Sequence, residues 1–144
     1  MESRATASWE GDLMSGKGKT SAQSGTFKDA NLSWKARTEG AAAQTTPEEL
    51  LAAAHASCFS MALSNGLSKA GHKPTKLETR CTVEFGPKQG GGFEVKSSRL
   101  EVKGTVPGIS EADFQKAAEA AKDGCPISGA LKIPMSVKAT LQAK

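Results

Sequence analysis

Aromatic residues make up only 5% of the 144 positions, and no basic cluster is interleaved with them. That excludes the usual nucleic-acid surface, in which a cationic stripe meets bases stacked on rings. The net charge of +4, from 19 basic and 15 acidic residues, is spread along the chain. Cysteine is sparse too: Cys58, Cys81 and Cys125 form an odd set with long gaps and no CxxC pair. This reads as cytosolic thiols, not a disulfide framework. The first residues, MESRATASWEGDL, lack the apolar core of an export signal, so the expected location is cytoplasmic. No repeat period is visible, and 144 residues with an apolar share of 38% predict one domain over 1–144 with a real core.

Charge is missing altogether from Leu50 to Ser68. The stretch holds only His55, Asn65 and small hydroxyls among Leu, Ala, Met and Phe, and has no solvent face. Its start is marked: Thr46 can cap a helix, Pro47 suits its first position, and Glu48 and Glu49 favour the positive end of the dipole, Glu49 at capping-box spacing. The sequence predicts one long helix over Thr46–Lys69, buried nearly all round. Ala53, Ser57, Ser60, Ser64 and Ser68 form a smooth small-residue stripe along it. Cys58 lies off that stripe in an apolar wall of Leu51, Ala54 and Met61. A membrane span needs roughly 20 strongly apolar residues, and this run is diluted by His, Asn and four serines, so a core helix and no membrane partner are expected.

Around that helix the chain reads as α+β. Ala5–Glu10, a weak run over Thr20–Phe27, and Trp34–Arg37 are strand candidates, with Gly11-Asp12 and Gly16/Gly18 as breaks. Ala70-Gly71-His72-Lys73-Pro74 stops the helix. Leu77, Thr79, Cys81, Val83 and Phe85 alternate as in a half-buried strand, and the run after Phe93 forms a hairpin with it, shifting parity at a bulge near Ser97–Arg99. Ser110 and Asp113 open an amphipathic helix through Ala121 or Lys122, closed by Gly124. Cys125-Pro126 begins a short helix through Leu131, and Ile133–Leu141 alternates as a last strand. The predicted order is β-β-β-α-β-β-α-α-β.

A thiol's role follows from its thiolate fraction and access. Cys81 sits on the apolar parity of its strand and reads as an inert buried residue. Cys58, mid-helix, receives no help from the dipole, and apolar burial raises its pKa. It therefore needs a nearby cation to react. Cys125 at a helix N-terminus has exposed amides to stabilise a thiolate, and from local sequence is the better nucleophile. His55 and Cys58 are spaced H-x-x-C, but zinc would want two further ligands and none has matching spacing, so no metal is expected and His55 reads as a hydrogen-bonded buried histidine. The helix serines lack a G-x-S-x-G setting, and Gly16-Lys17-Gly18-Lys19-Thr20 misses the phosphate-loop spacing.

The stretch TPEELLAAAHASCFSMAL, with Arg37-Thr38-Glu39-Gly40, the Pro107-Gly108-Ile109 turn and Gly124-Cys125-Pro126-Ile127-Ser128, resembles the OsmC/Ohr family of thiol peroxidases, and its OsmC branch in particular. The resemblance implies an intertwined cytoplasmic homodimer that reduces organic hydroperoxides, and hydrogen peroxide more weakly, in oxidative or osmotic stress defence without a bound cofactor. It matches Cys58 to the peroxidatic cysteine, Cys125 to the resolving cysteine, Arg37 to the arginine beside the thiolate and Glu48 to the glutamate that orients it. In the Ohr branch the arginine comes from the first strands, where Arg4 is the candidate. The implied reductant is an external dithiol, such as dihydrolipoamide or a lipoylated protein, acting on a Cys58–Cys125 disulfide that family precedent places within one chain. One inference is independent of the family: Glu48 and Cys58 are ten residues apart, about 15 Å of helical rise. If both serve one site, Glu48 comes from the partner subunit. A contrasting reading is a non-catalytic thiol protein that binds an apolar ligand or senses oxidants.

Overall fold

In the computed structural model, which describes residues 1–143, Met1–Leu50 form one unit built on an antiparallel sheet of β1 (Ala5–Glu10), β2 (Lys17–Ala22) and β3 (Ala30–Leu32), in that order. Trp9 pairs with Gly18, where a Cβ would lie 2.6 Å from the Trp9 ring. Gly18 is therefore a strand residue chosen for a close approach and not the turn residue expected. Gly16 does belong to a turn, its N–H bonding the Asp12 carbonyl at 2.9 Å. The second strand accordingly starts before Thr20 and ends well short of Phe27.

Trp34–Arg37 is not a strand. It belongs to α1 (Trp34–Glu39), and the third strand lies just before it at Ala30–Leu32. Ser33, in extended conformation, accepts the Ala36 N–H with its hydroxyl at 3.0 Å, and Gly40 at φ 82° closes the other end. Four residues are too few to display a period, so these caps decide. Arg37 falls in the last turn of α1, where the negative end of the dipole favours a cation.

Next comes α2 (Pro47–Lys69). Thr46 accepts the Glu49 N–H at 3.0 Å, the first half of the expected capping box. The other half is replaced, because the Glu49 carboxylate accepts the Thr45 hydroxyl at 2.8 Å. At the far end the His72 N–H reaches the Leu67 carbonyl, the Gly71 N–H reaches that of Ser68, and Gly71 has φ 86°, a Schellman stop.

From Leu51 onward a second unit is built on β4 (Lys76–Pro87), β5 (Phe93–Thr105) and β6 (Met135–Leu141), with β5 central, antiparallel to β4 and parallel to β6. The hairpin carries its bulge at Lys96: Glu84 pairs with Ser97 and Phe85 with Val95, one residue before the expected place. The crossover to β6 runs through α3 (Glu111–Gly124) and α4 (Pro126–Ala130), and Ser110 accepts the Asp113 N–H as predicted. The order is thus α+β as expected, with α1 added before α2.

One face of this sheet carries Leu100, Val102, Val137 and Ala139, packed with Phe114, Ala118 and Ala121 of α3 and with Phe59, Leu63 and Leu67 of α2. Gly104 completes the face, since a Cβ there would stand 2.5 Å from the Phe114 ring. The long helix is not buried all round in a single chain. His55, Phe59, Leu63 and Leu67 are buried at four-residue spacing, while Ala53, Ala54, Ser57 and Met61 are exposed, Met61 at 74%. By length and composition α2 could cross a membrane, but its bulky residues fill the core.

Candidate active site

Cys125 sits where two helices meet, as C-cap of α3 and N-cap of α4. Its own N–H bonds the Ala121 carbonyl at 2.9 Å, and the residue is 1% exposed. Burial pushes the thiol up, but the neighbouring Cys58 thiol, the Ser128 N–H and hydroxyl and the Ile127 N–H together outweigh it, holding Cys125 below the ordinary thiol value. Cys58, half-buried on α2, goes the other way. Burial raises it first, the hydrogen bond it shares with Cys125 raises it further, and the Ile127 N–H only partly opposes. The two thiols, 67 residues apart in sequence, are brought near enough for each to shift the other's ionisation, and both are free. Within this unit Cys125 is the more acidic partner, in line with the local-sequence reading, and no cation among the described residues is a cause of the Cys58 shift.

The other two predicted residues meet in the first unit. The Arg37 guanidinium grips Glu48 with Nη2 to Oε1 at 2.8 Å and Nε to Oε1 and Oε2 at 3.1 and 3.2 Å. The Glu48 side chain is 9% exposed and that of Arg37 31%. The capping start of α2 and the last turn of α1 bring them together. Arg4, the alternative cation, instead pairs with Glu2 at the exposed start of the chain. Arg37 also lines an apolar cleft of about 490 Å³ with Trp9, Leu13, Leu32, Trp34 and Pro47.

His55, 0% exposed, is held at both nitrogens: Nδ1 lies 2.7 Å from Ser98 Oγ of β5 and Nε2 lies 2.7 Å from Ser128 Oγ of α4. Cys81 Sγ is 3.1 Å from Ser98 Oγ. Cys81 is therefore half-buried and hydrogen-bonded, not a plain apolar filler, and burial still pushes its thiol up while Ser98 opposes. Burial also lowers the His55 pKa. Sequence reasoning found the buried histidine but missed both serines. Ser128 lay within the Cys-Pro-Ile-Ser stretch as a visible signal, whereas Ser98, in a run of strand residues, gave none. Among the described residues no three His, Cys, Asp or Glu side chains gather in a way that could hold a metal.

The profile of the OsmC-like protein family matches residues 39–140. The chain is 39% identical over 140 residues to peroxiredoxin OsmC of Escherichia coli K12, covering 97% of this chain and 96% of the relative. It is 32% identical over 117 residues to the organic hydroperoxide resistance protein of Xanthomonas axonopodis pv. citri, covering 78% of each. Among solved structures, the organic hydroperoxide resistance protein OhrB of Bacillus subtilis superposes with a TM-score of 0.71 at 25% identity, over 96% of this chain and 98% of that one. The chain belongs to the OsmC-like protein family.

Proposed function

We propose that this protein is a two-cysteine thiol peroxidase that reduces organic hydroperoxides. The observation that carries the reading is that the fold brings the Cys58 and Cys125 thiols, distant in sequence, near enough to shift each other's ionisation. In the first step the Cys58 thiolate attacks the terminal peroxide oxygen, the O–O bond breaks, and an alkoxide leaves to be protonated to the alcohol. Cys58 is then a sulfenic acid. Cys125 attacks that sulfur, an S–S bond forms, and the oxygen leaves as water, which removes Cys58 from the path to irreversible oxidation. An external dithiol, for which dihydrolipoamide or a lipoylated protein has the right chemistry, returns both thiols.

Reactivity at Cys58 requires a cation, since burial and Cys125 both oppose its ionisation. Arg37 has the chemistry: a guanidinium stays charged when desolvated, and its N–H groups can serve the thiolate and the departing alkoxide alike. Glu48 fixes its orientation through three contacts. Ten residues of helix place Glu48 about 15 Å along from Cys58, so the partner subunit's Glu48 and the partner subunit's Arg37 complete the site in a homodimer. The uncharged exposed residues Ala53, Ala54, Ser57 and Met61 of α2 are what a second copy would cover. The apolar cleft beside Arg37 favours a peroxide with a hydrocarbon tail over hydrogen peroxide. Free thiols suit the reducing cytoplasm.

The test is consumption of cumene hydroperoxide with a dithiol reductant. The wild type turns over, Cys58→Ser does not, and Cys125→Ser permits a single oxidation of Cys58. A wild type that consumes neither cumene hydroperoxide nor hydrogen peroxide sinks the peroxidase reading and leaves the cleft as a binding site for an apolar ligand.

A further inference from the structure

His55 has no role in the cycle above, yet it is fully buried and both its ring nitrogens are taken up. Nδ1 lies 2.7 Å from Ser98 Oγ on β5, and Nε2 lies 2.7 Å from Ser128 Oγ on α4. Both serines are buried as well. The two bonds do different things. Ser98, which also lies 3.1 Å from Cys81 Sγ, seats the ring on the sheet. Ser128 instead joins α2 to α4, the helix that Cys125 caps. His55 precedes Cys58 by three residues on α2, a spacing that makes two side chains neighbours on one helix face. Ser128 is the third residue of α4 and Cys125 its N-cap, so both belong to the first turn of that helix. Cys58 packs against the same core cluster that contains Cys125. The hydrogen bond and the thiol pair therefore link the same two segments within about one turn of each other. The backbone of α4 makes the tether stiff: the Gly129 N–H bonds the Cys125 carbonyl at 3.0 Å, and the Cys125 N–H bonds that of Ala121 at 2.9 Å.

We infer that His55 is a positioning residue for the resolving step, tying α4 to α2 through Ser128 so that the Cys125 sulfur stands in line with the S–O bond of oxidised Cys58. This role presupposes the two-cysteine reading and adds a tether to it. Resolution is sensitive to placement, because a disulfide forms only over a narrow range of backbone separation and needs an S–S distance of about 2 Å. A helix of five residues has little surface of its own to hold it at that range. A buried ring bonded at both ends supplies the hold. His55 carries neither the proton nor the electrons of the step. Its contribution is to keep one sulfur at high effective concentration beside the other, which spares the reaction the cost of bringing them together. Ser98 serves the same end more remotely, since β5 carries neither thiol and the link between α2 and α4 survives its loss.

Two pairs of variants separate this role from plain stabilisation, in single turnover of the full protein with cumene hydroperoxide, following sulfenic acid by dimedone trapping and disulfide by mass. Ser128→Ala cuts the link between α2 and α4, whereas Ser98→Ala cuts only the seat on the sheet. His55→Gln sets an amide near the place of Nε2 and can keep the bond to Ser128; His55→Asn sets one near Nδ1 and can keep the bond to Ser98. Each variant gives up one buried hydrogen bond, so a merely structural histidine predicts similar losses of stability and no ranking of resolution rates. The tether predicts a ranking. Ser128→Ala and His55→Asn are expected to slow conversion of sulfenic acid to disulfide by about 10- to 100-fold, the effect of a small misplacement of reacting groups, with oxidation of Cys58 spared. Ser98→Ala is expected to lose much less, and His55→Gln to restore most of what His55→Asn loses. The serine pair carries the test if a His55 variant fails to fold. Resolution at the wild-type rate in Ser128→Ala, equal slowing in Ser98→Ala, or slowing shared equally by the oxidation of Cys58 overturns the tether while the peroxidase reading stands. A wild type that forms no Cys58–Cys125 disulfide overturns both.

Discussion

Replacing Glu48 by glutamine keeps its shape and removes its charge, which isolates what the carboxylate does for Arg37. The pair makes contacts of 2.8, 3.1 and 3.2 Å, with the Glu48 side chain 9% exposed and Arg37 31%. Exposed ion pairs contribute about 0–1 kcal/mol, but a hydrogen-bonded pair this sheltered belongs with bonds to charged groups, about 1.5–3 kcal/mol net. Glu48 also lies in the first turn of α2, where the dipole adds about 0.3–1 kcal/mol. Together these give an expected loss of about 2–4 kcal/mol for Glu48→Gln. The shared part is measured by the cycle of Glu48→Gln, Arg37→Ala and the double variant, with a coupling of about 2 kcal/mol expected. Denaturant unfolding reads it, at one fixed protein concentration because self-association shifts apparent stability. A coupling below about 0.5 kcal/mol would place the pair among ordinary surface contacts and refute the argument that Glu48 holds Arg37 in place.

Three further outcomes follow from the same geometry. Arg37→Ala is expected to raise the Cys58 pKa by about 1–3 units, the usual effect of removing an opposite charge at short range, read by thiolate absorbance in Cys125→Ser; an unchanged titration removes Arg37 from the site. His55 is buried with its pKa below the free value of 6.5, so the unfolded chain binds its proton first as pH falls. The stability linked to neutral His55 is therefore fully present above about pH 6.5 and is lost toward the lower folded value, by up to about 1.4 kcal/mol per pH unit; unfolding of His55→Gln should lack this slope, and an identical slope contradicts the assignment. Gly104→Ala places a methyl 2.5 Å from Phe114 and 3.1 Å from Leu77, and should cost about 1–3 kcal/mol by overpacking, seen as a lower denaturant midpoint.

Features written in adjacent residues were legible in the sequence. The Thr46 cap, the Gly71 stop, Ser110 before α3 and the Cys125-Pro126 start of α4 all stand where local chemistry put them. Trp34–Arg37 misled because four residues of mixed polarity fit a strand as well as a helix turn, and the deciding residues, Ser33 and Gly40, lie outside them. Gly18 misled because what demands a glycine there is a ring on the neighbouring strand. The contrast between Cys58 and Cys125 was also local, set by mid-helix burial against a helix start. The His55 network was not, because its serines lie 43 and 73 residues away. Only the hairpin and the crossover to β6 bring them to the ring. The small, uncharged side of α2 was read as buried, and the single chain leaves it exposed, because its covering belongs to no segment of the same chain among the described residues.

The central claim is that Cys58 is oxidised and Cys125 resolves it. Treating the reduced wild-type protein with one equivalent of cumene hydroperoxide, quenching with an alkylating agent and mapping the peptides by mass tests this directly. The account predicts one Cys58–Cys125 disulfide per chain, with Cys81 alkylated as a free thiol, and in Cys125→Ser a trapped sulfenic acid on Cys58. A sulfenic acid on Cys125, a disulfide to Cys81, or three intact thiols after the peroxide is gone would contradict it.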